Sequence, residues 1–228
     1  LTLDSGSTLA GGNTATVGSD GSWSIAVVAA DITAMGEGAE VITAKQEDVA
    51  GNISVNSSAK TLAVDTVVPS APAVVLGAGV SNGATDAEAA ATGGVITVAG
   101  ENGAASVVSL TGQSGTLTKN VAGDGTAQAV ALTSSEMDTL GEGAVAVTAS
   151  QTDASGNAQT AAATAATFTV DTVVTAPTID AIATDGIANK AEMAAGFNIT
   201  GKGEVGATVT LTLDSSITLA GGNTALVG

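Results

Sequence analysis

The fold of this chain is decided by residues 141–157, which read GEGAVAVTASQTDASGN. Apolar side chains alternate through Val145, Val147 and Ala149, which is the period of a β-strand with one face on a core. Gly-Glu-Gly precedes this run, and Asp, Gly and Asn follow it, as is typical of turns. The stretch therefore predicts one long strand between two turns.

The same stretch occurs earlier in the chain, which makes the sequence periodic. Residues 36–52 read GEGAEVITAKQEDVAGN, 105 positions earlier, and residues 1–18 recur at 211–228 with three differences. A period of about 105 residues is the size of a small domain and exceeds the usual solenoid repeats. We therefore expect tandem units: 1–66 as the C-terminal part of one repeat, 67–172 as a complete repeat, and 173–228 as the N-terminal part of a third.

Composition limits the chemistry that is available. The formal charge is −17, with five basic residues, all Lys, and with no His or Cys. Such a chain repels nucleic acids and anionic membranes. It also lacks thiolate and imidazole ligands and the usual general base. The carboxylate, amide and carbonyl oxygens that remain are the ligands that Ca²⁺ prefers.

The complete repeat reads as seven strands separated by turns. The candidates are Ala73–Leu76, Val95–Ala99, Ser106–Thr111, Thr116–Val121, Ala127–Leu132, Ala144–Gln151 and Gln159–Val170. This number and spacing predict an all-β fold of immunoglobulin-like sandwiches of about 105 residues, joined head to tail. Residues 133–140 and their counterparts 30–35 are expected to form short helical turns. Trp23 is expected in a core, and Glu40, Glu136, Asp138 and Asp180 on solvated surface.

Acidic and amide side chains concentrate in the loops at two ends of such a sandwich. We call the end where a repeat begins the entry pole and the end where it finishes the exit pole. The exit-pole candidates are Glu37, Asp65, Thr66, Asn82, Asp86, Glu88, Glu142, Asp171, Thr172, Asp185, Asn189 and Glu192. The entry-pole candidates are Asp48, Asn52, Glu101, Asn102, Asp153, Asn157 and Glu204.

Head-to-tail stacking brings one exit pole against the next entry pole, so the facing carboxylates need a cation. We expect Ca²⁺ to be held at a first junction and at a second. The first uses Glu37, Asp65 and Thr66 facing Glu101, Asp153 and Asn157, and the second uses Asn82, Asp86, Glu142 and Asp171 facing Glu204. For any single residue the alternative stays open that a loop Asp or Asn only forms a turn.

The string LGEGAVAVTASQTDASGN at 140–157, followed by VDT at 170–172, resembles the bacterial immunoglobulin-like repeats of giant RTX-type adhesins. DGIANKAE at 185–192, GEVGATVTLTL at 203–213 and SDGSWSI at 19–25 are similar to other parts of that repeat. The resemblance implies extender repeats on the surface of a Gram-negative bacterium, exported by type I secretion. It also implies calcium between neighbouring repeats and a target bound by terminal domains of the parent protein.

Three functions are therefore compared. The leading hypothesis is a structural spacer that calcium stiffens, with neighbouring repeats as its partners. The second is a module that binds carbohydrate or ice, although the Thr residues are spread over different strands and the chain has one Trp and two Phe. An enzyme is disfavoured because His, Cys, Tyr and Arg are absent. A further hypothesis is that residues 173–228 of one molecule and residues 1–66 of another together make one repeat, unless both stretches belong to a longer chain.

Overall fold

The computed structural model describes residues 1–228, apart from the side chain of Thr184, and its contacts divide the chain into two compact units, 1–170 and 171–228. Strands in antiparallel sheets dominate and the helices are short, so the predicted all-β fold is confirmed. Among the described residues, none of the helices combines the length and the apolar character that a bilayer crossing requires.

Residues 1–66, which we call the first segment, form a small antiparallel sheet and one helix. The elements are β1 (Thr2–Leu3), α1 (Ala29–Met35), β2 (Gly38–Thr43) and β3 (Lys60–Val64). The strand order in the sheet is β1-β2-β3, with β2 in the centre because it pairs with both neighbours. The helical turn expected at 30–35 is confirmed.

Residues 67–170 belong to the middle repeat. Its elements are β4 (Ala73–Leu76), a 3₁₀ turn (Val80–Asn82), α2 (Asp86–Ala89), β5 (Ile96–Ala99), β6 (Ala105–Thr111), β7 (Thr116–Ala122), β8 (Ala127–Val130), α3 (Ser134–Leu140), β9 (Gly143–Thr152) and β10 (Thr164–Val170). The sheets run β4-β5-β8 and β10-β9-β6-β7, the arrangement of an immunoglobulin-like sandwich. Each predicted strand coincides with an observed one. The last begins at Thr164 rather than Gln159, because an irregular connection precedes it.

The core of the middle repeat lies between these two sheets. The inner faces contribute Ile96, Val98, Leu110, Val145 and Val147, each with no solvent-exposed surface. Burial of a Val, Leu or Ile side chain stabilises a fold by about 1.5–3 kcal/mol, which makes this cluster the main source of cohesion. The alternation predicted for β9 is therefore confirmed, because Val145, Val147 and Ala149 point inward while Ala146 and Thr148 are exposed.

The helix α3 connects the two sheets and ends at the turn before β9. Thr133 caps its first turn: the Glu136 amide donates to the Thr133 hydroxyl at 3.3 Å, and the Thr133 amide donates to the Glu136 carboxylate at 2.9 Å. Gly141 ends the helix at a φ of 76°, in the left-handed region that favours glycine. The helical turn predicted at 133–140 is thus confirmed.

The chain enters and leaves the middle repeat at opposite ends. The Thr164 hydroxyl, at the start of β10, donates to the carbonyl of Pro72, just ahead of β4. At the other end, the Ala84 amide donates to the Thr169 carbonyl at 2.7 Å, and Ala84 lies in parallel register with Val170. The segment from Pro72 to Ala84 therefore runs in the same direction as β10, from the entry pole to the exit pole.

Residues 171–228 form the second compact unit, and residues 173–228 of it are called the third segment. Its elements are α4 (Ala183–Gly186), α5 (Lys190–Ala195), β11 (Thr208–Thr210) and β12 (Thr224–Leu226), and β11 pairs with β12. Two further backbone bonds run from the Thr178 amide to the Lys202 carbonyl and from the Asp180 amide to the Thr200 carbonyl, each 2.8 Å long. An extended ribbon therefore joins residues near 178–180 and 200–202.

Two predictions about the first segment are wrong. Trp23, expected in a core, is 51% exposed, and Glu40, expected on the surface, is 3% exposed. Glu40 occupies the inward position of β2 that corresponds to Val145 of β9, so the alternation of the strand buries it. Its carboxylate accepts a hydrogen bond from the Ser5 amide at 3.2 Å, which partly replaces the lost hydration.

Candidate functional site at the junction of two repeats

The junction between the first segment and the middle repeat is built on residues 65–72, which connect β3 to β4. Asp65 lies against the loop between β9 and β10. The Ser155 hydroxyl donates to its carboxylate at 2.6 Å, and the Asn157 side-chain amide donates to its main-chain carbonyl at 3.1 Å. The structure thus brings together three predicted junction residues: Asp65, Asn157 and Asp153.

The loop of residues 153–157 is rigid because Asp153 organises it. The Asp153 carboxylate accepts from the amides of Ser155 (2.9 Å) and Asn157 (2.8 Å), and from the Asn157 side chain (2.8 Å). The Asn157 side chain lowers the pKa of Asp153 below the ordinary 3.8, with help from the backbone amides, because these donors stabilise the charged form. Asn157 therefore joins the ordered loop to the linker.

On the exit-pole side of this junction, Glu37 holds the start of the linker. The Thr66 amide donates to the Glu37 carboxylate at 2.9 Å, and the Thr66 hydroxyl donates to the other carboxylate oxygen. Glu37 follows α1 in the Gly-Glu-Gly turn, which places its side chain next to the end of β3. The structure therefore brings these two predicted residues together by direct hydrogen bonds.

On the entry-pole side, Glu101 and Gln151 hold the middle of the linker. The Ser70 amide and hydroxyl both donate to one Glu101 oxygen at 2.9 Å. Gln151 is 3% exposed; its side-chain amide donates to the Ser70 carbonyl at 2.6 Å, and its side-chain carbonyl accepts from the Glu101 amide at 3.1 Å. The linker is therefore fixed to the turn between β5 and β6 as well as to the loop after β9.

The donors at this junction are neutral, so its negative charge is not balanced by the contacts above. Hydroxyls and amides donate hydrogen bonds to Glu37, Asp65 and Glu101. The ion pair found among the described residues joins Lys119 to Glu136, and the Lys119 ammonium lowers the pKa of Glu136. The oxygen donors suit Ca²⁺ in kind. The carboxylates are too far apart to form a metal site as they stand, because within the described residues no three acidic side chains form a group that could hold a metal ion.

Several predicted residues of the exit poles have local roles in helix caps. Glu88 accepts from the Thr85 amide at 3.0 Å and from its hydroxyl, and these bonds lower the pKa of Glu88. Asn189 and Glu192 cap α5 in the same way, since the Asn189 side chain accepts from the Glu192 amide at 3.1 Å. These side chains stabilise short helices at the exit pole.

The remaining predicted residues are described here by the elements in which they lie. Asp48 and Asn52 form the same loop in the first segment as Asp153 and Asn157 do, with a side-chain bond of 2.7 Å. Asn82 closes the 3₁₀ turn, Asp86 begins α2, Asn102 is exposed between β5 and β6, and Asp185 accepts from the Ile187 amide at 2.9 Å. Glu142 follows α3, Asp171 and Thr172 follow β10, and Glu204 precedes β11.

The sequence analysis missed three residues of this junction: Ser70, Gln151 and Ser155. A signal for Gln151 exists, because Gln46 occupies the same place in the earlier copy of the motif. A buried amide at an inward position of a strand requires polar partners, and in β9 those partners are the linker and a turn. Ser70 and Ser155 carry no such signal, since Ser is common in any loop.

Solved structures similar to this chain exist, whereas the other comparisons find no match. No protein-family model matches the chain, and no curated protein matches it. A crystal structure of a tetra-tandem repeat in the extending region of a large adhesion protein is similar at 24% sequence identity and a TM-score of 0.34, covering 96% of this chain. The chain spans about half of that structure, 52% of its length.

Proposed function

We propose that the chain is a spacer: extender repeats of a large bacterial surface adhesin, outside the cell, in which each repeat is fixed to the next. The observation that carries the proposal is the anchoring of the linker, residues 65–72, from both sides. Glu37 holds Thr66, while Asn157 holds Asp65 and Gln151 holds Ser70. A flexible tether would need none of these bonds.

The length of the linker supports the same function. Val64 ends β3 and Ala73 begins β4, so few residues separate the two sheets. Pro69 and Pro72 restrict the backbone within this short stretch. A short, proline-containing linker that is also hydrogen-bonded at both ends limits the bending between repeats, which is the property that an extender needs.

The proposal includes calcium as the ion that completes the junction. Glu37 and Glu101 accept hydrogen bonds from linker residues, Asp65 begins the linker, and Asp153 orders the loop that contacts Asp65. Four carboxylates therefore belong to one junction whose donors are neutral. A divalent cation supplies the opposite charge and links both sides through oxygen ligands. Asp65 uses only its Oδ2 oxygen, and Glu101 only its Oε1 oxygen, in the contacts described above, so each keeps lone pairs for a cation.

Calcium titration of the 228-residue chain tests this function. We expect binding by calorimetry, a higher unfolding temperature and a larger maximum dimension in small-angle scattering, all reversed by a chelator. Saturation at 100 times the dissociation constant stabilises by about 2.7 kcal/mol per site. Unchanged unfolding temperature and dimension after addition of EDTA would contradict the calcium part of the proposal.

A matched set of variants locates the ion. The triple variant Glu37→Gln, Asp65→Asn, Glu101→Gln removes charge from the first junction and keeps the size of each side chain. Asp138→Asn removes one charge from the exposed face of α3 and serves as the control. We expect the triple variant to lose a calcium site and the control to keep it. An identical calcium response in both would place the ion elsewhere.

The second candidate, binding of ice or carbohydrate, is favoured by one observation on the middle repeat. The outer face of the β10-β9-β6-β7 sheet carries no charged side chain, although the chain as a whole is strongly acidic. Three of its Thr residues, Thr167, Thr111 and Thr116, lie with Ala146 in one row across the four strands. An ice-affinity assay and a glycan array separate this candidate from a spacer, for which both should be negative.

A further inference from the structure

We propose that β7 presents an open sheet edge on the middle repeat, and that Lys119 keeps this edge from pairing with β7 of a second copy of the chain. This role goes beyond the spacer function, because it concerns chains that lie side by side rather than repeats that follow one another. The partner that the edge fits, and that Lys119 excludes, is an identical strand. All residues involved lie inside the complete repeat, residues 67–172.

The strand β7 is the outermost strand of its sheet. The order β10-β9-β6-β7 leaves one side of β7 without a paired strand among the residues that the structure describes. At the opposite edge, β10 is flanked by the segment from Pro72 to Ala84, because Ala84 pairs in parallel with Val170. In the other sheet, the edge strands β4 and β8 have four residues each, whereas β7 has seven. Short edge strands offer few groups to a partner, so β7 is the edge where pairing is most favourable.

Hydrogen bonds at both ends of the β6-β7 pair show which backbone groups of β7 face outward. The Gly112 amide donates to the Gly115 carbonyl at 2.9 Å, and the Gly123 amide donates to the Ala104 carbonyl at 2.7 Å. Bonded positions alternate along an antiparallel pair, so the odd-numbered residues of β7 bond to β6. The amides and carbonyls of the even-numbered residues, 116 to 122, therefore point toward the open edge, where a further strand would bond to them.

The side chains of β7 alternate as well, and Lys119 takes an inward position. Leu117 and Val121 pack against the core, and Lys119 lies between them on the same face of the strand. It is the only basic residue in the sequence of the complete repeat. A charged side chain that points inward from an edge strand is one of the features by which natural sheets prevent edge-to-edge pairing.

The charge of Lys119 is satisfied while β7 stays unpaired. Its ammonium forms an ion pair with Glu136 in the first turn of α3, and the two side chains are 28% and 29% exposed. Glu136 also accepts a hydrogen bond from the Thr133 amide at 2.9 Å, so the helix cap fixes the carboxylate that holds Lys119. A strand laid against β7 would remove water from this partly solvated charge, which is unfavourable.

The register of a β7–β7 contact brings the two Lys119 side chains together. The antiparallel register with the most pairs is centred on Lys119, the middle residue of β7. It pairs Thr118 with Asn120 through their outward groups and keeps Leu117 opposite Val121 on the core side. Each Lys119 then lies opposite the Lys119 of the second copy in a pair without hydrogen bonds, with Cα atoms about 4.5 Å apart. Like charges in this position destabilise a sheet, so Lys119 disfavours the register that suits the apolar residues.

Size-exclusion chromatography with light scattering on the 228-residue chain tests the role of Lys119. Lys119→Met removes the charge and keeps an unbranched side chain. The same strand serves both copies, so the contact is isologous and closes at two chains. We therefore expect Lys119→Met to have about twice the mass of the parent at the same protein concentration. Lys119→Arg keeps the charge and should have the mass of the parent.

Two further variants separate the charge from the helix and locate the contact. Glu136→Ala releases Lys119 from α3 but keeps its charge at the edge, so it should have the mass of the parent. Thr118→Pro, added to Lys119→Met, removes an outward amide and leaves the bonds to β6 intact, so it should restore the mass of the parent. Far-ultraviolet circular dichroism establishes that each variant keeps the fold.

A cysteine variant tests the register without a proline substitution. The chain has no Cys, so Lys119→Cys introduces a single thiol and removes the charge in one change. In the proposed register the two thiols face each other, and the Cα separation lies within the range of about 4.4–6.8 Å that a disulfide accepts. Mild oxidation should give a covalent dimer. The matched control, Lys119→Met with Thr118→Cys, should not cross-link, because residue 118 lies opposite residue 120.

Each result supports or overturns the proposal. The mass of the parent for Lys119→Met at every concentration would overturn it, and so would association of Lys119→Arg or Glu136→Ala. Association of Lys119→Met that survives Thr118→Pro would place the contact away from β7. Absence of a covalent dimer for Lys119→Cys would exclude the register. Calcium takes no part in these measurements, so the spacer function can fail or hold independently of them.

Discussion

The side chain of Asn157 donates to the main-chain carbonyl of Asp65 at 3.1 Å, so a loop of the middle repeat is bonded to the backbone that leaves the first segment. The same side chain also donates to Asp153 at 2.8 Å, which fixes its orientation. One amide group thus connects the internal order of a loop to the placement of the neighbouring repeat.

Replacement of Asn157 by Ala should loosen this junction. The variant loses the bond to Asp65 and one bond within the loop, and a bond of this kind contributes about 0.5–1.5 kcal/mol. Asn52→Ala is the matched control, because Asn52 makes the equivalent bond to Asp48 at 2.7 Å in the first segment. Spin labels on the two sides of the junction should show a broader distance distribution for Asn157→Ala only; equal distributions would contradict the role of Asn157.

Replacement of Gln151 by Ala should destabilise the chain more than the same change at Gln46. Gln151 is 3% exposed and satisfies both the Ser70 carbonyl and the Glu101 amide, whereas Gln46 is exposed. Loss of both partners in a buried position costs about 1–3 kcal/mol. Urea unfolding measures the difference, and a similar midpoint for the two variants would show that the linker is not held by Gln151.

Truncation of Leu132 and of Val27 to Ala should have different effects, although the two residues occupy the same place in two repeats, 105 positions apart. Leu132 is 2% exposed, and a buried Leu→Ala change costs about 2–5 kcal/mol because it leaves a cavity. Val27 is 47% exposed, and its truncation should change the free energy of unfolding by less than about 0.5 kcal/mol in a monomeric sample. Chemical unfolding at low protein concentration gives both values; a large loss for Val27→Ala there would mean that it is already buried.

Acid should release the loop at residues 153–157. The pKa of Asp153 lies below the ordinary 3.8, because the Asn157 side chain and nearby amides bond to its charged form. A lowered pKa means that the charged form stabilises the fold above pH 3.8, and that this stabilisation is lost as the pH falls through the folded value. Carboxyl-carbon NMR should give a midpoint below 3.8 that rises in Asn157→Ala; a midpoint at or above 3.8 in the parent would be inconsistent with this loop.

Much of the fold follows from local patterns in the sequence. The alternation of Val145, Val147 and Ala149 predicts β9, and the Thr133 capping position predicts α3, because strand period and helix caps depend on near neighbours. Glu40 was predicted wrongly because its charge was given more weight than the alternation of β2, which points it inward. The exposure of Trp23 instead depends on which part of a sandwich lies over it. That is a tertiary property, and local chemistry does not specify it.

The residues of the junction, too, were predicted from the sequence only in part. Charge and loop position indicate Asp65, Glu101, Asp153 and Asn157 as residues of facing poles. The structure places Asp65 in the linker, Glu101 and Asn157 against it, and Asp153 in the loop that carries Asn157. Their hydrogen-bond donors are the hydroxyls of Ser70 and Ser155, and the Gln151 side chain holds the same linker through the Ser70 carbonyl. A sequence does not distinguish these from other loop residues, because the contacts depend on how the first segment and the middle repeat pack against each other.

The parallel course of residues 72–84 and β10 has a mechanical consequence. A pull applied to the two ends of the middle repeat acts near Pro72 at one pole and near Val170 at the other. β10 is joined to β9 through seven residue pairs, so tension along β10 loads this whole ladder in shear rather than opening it pair by pair. A repeat threaded in this way resists stretching with all of those bonds at once.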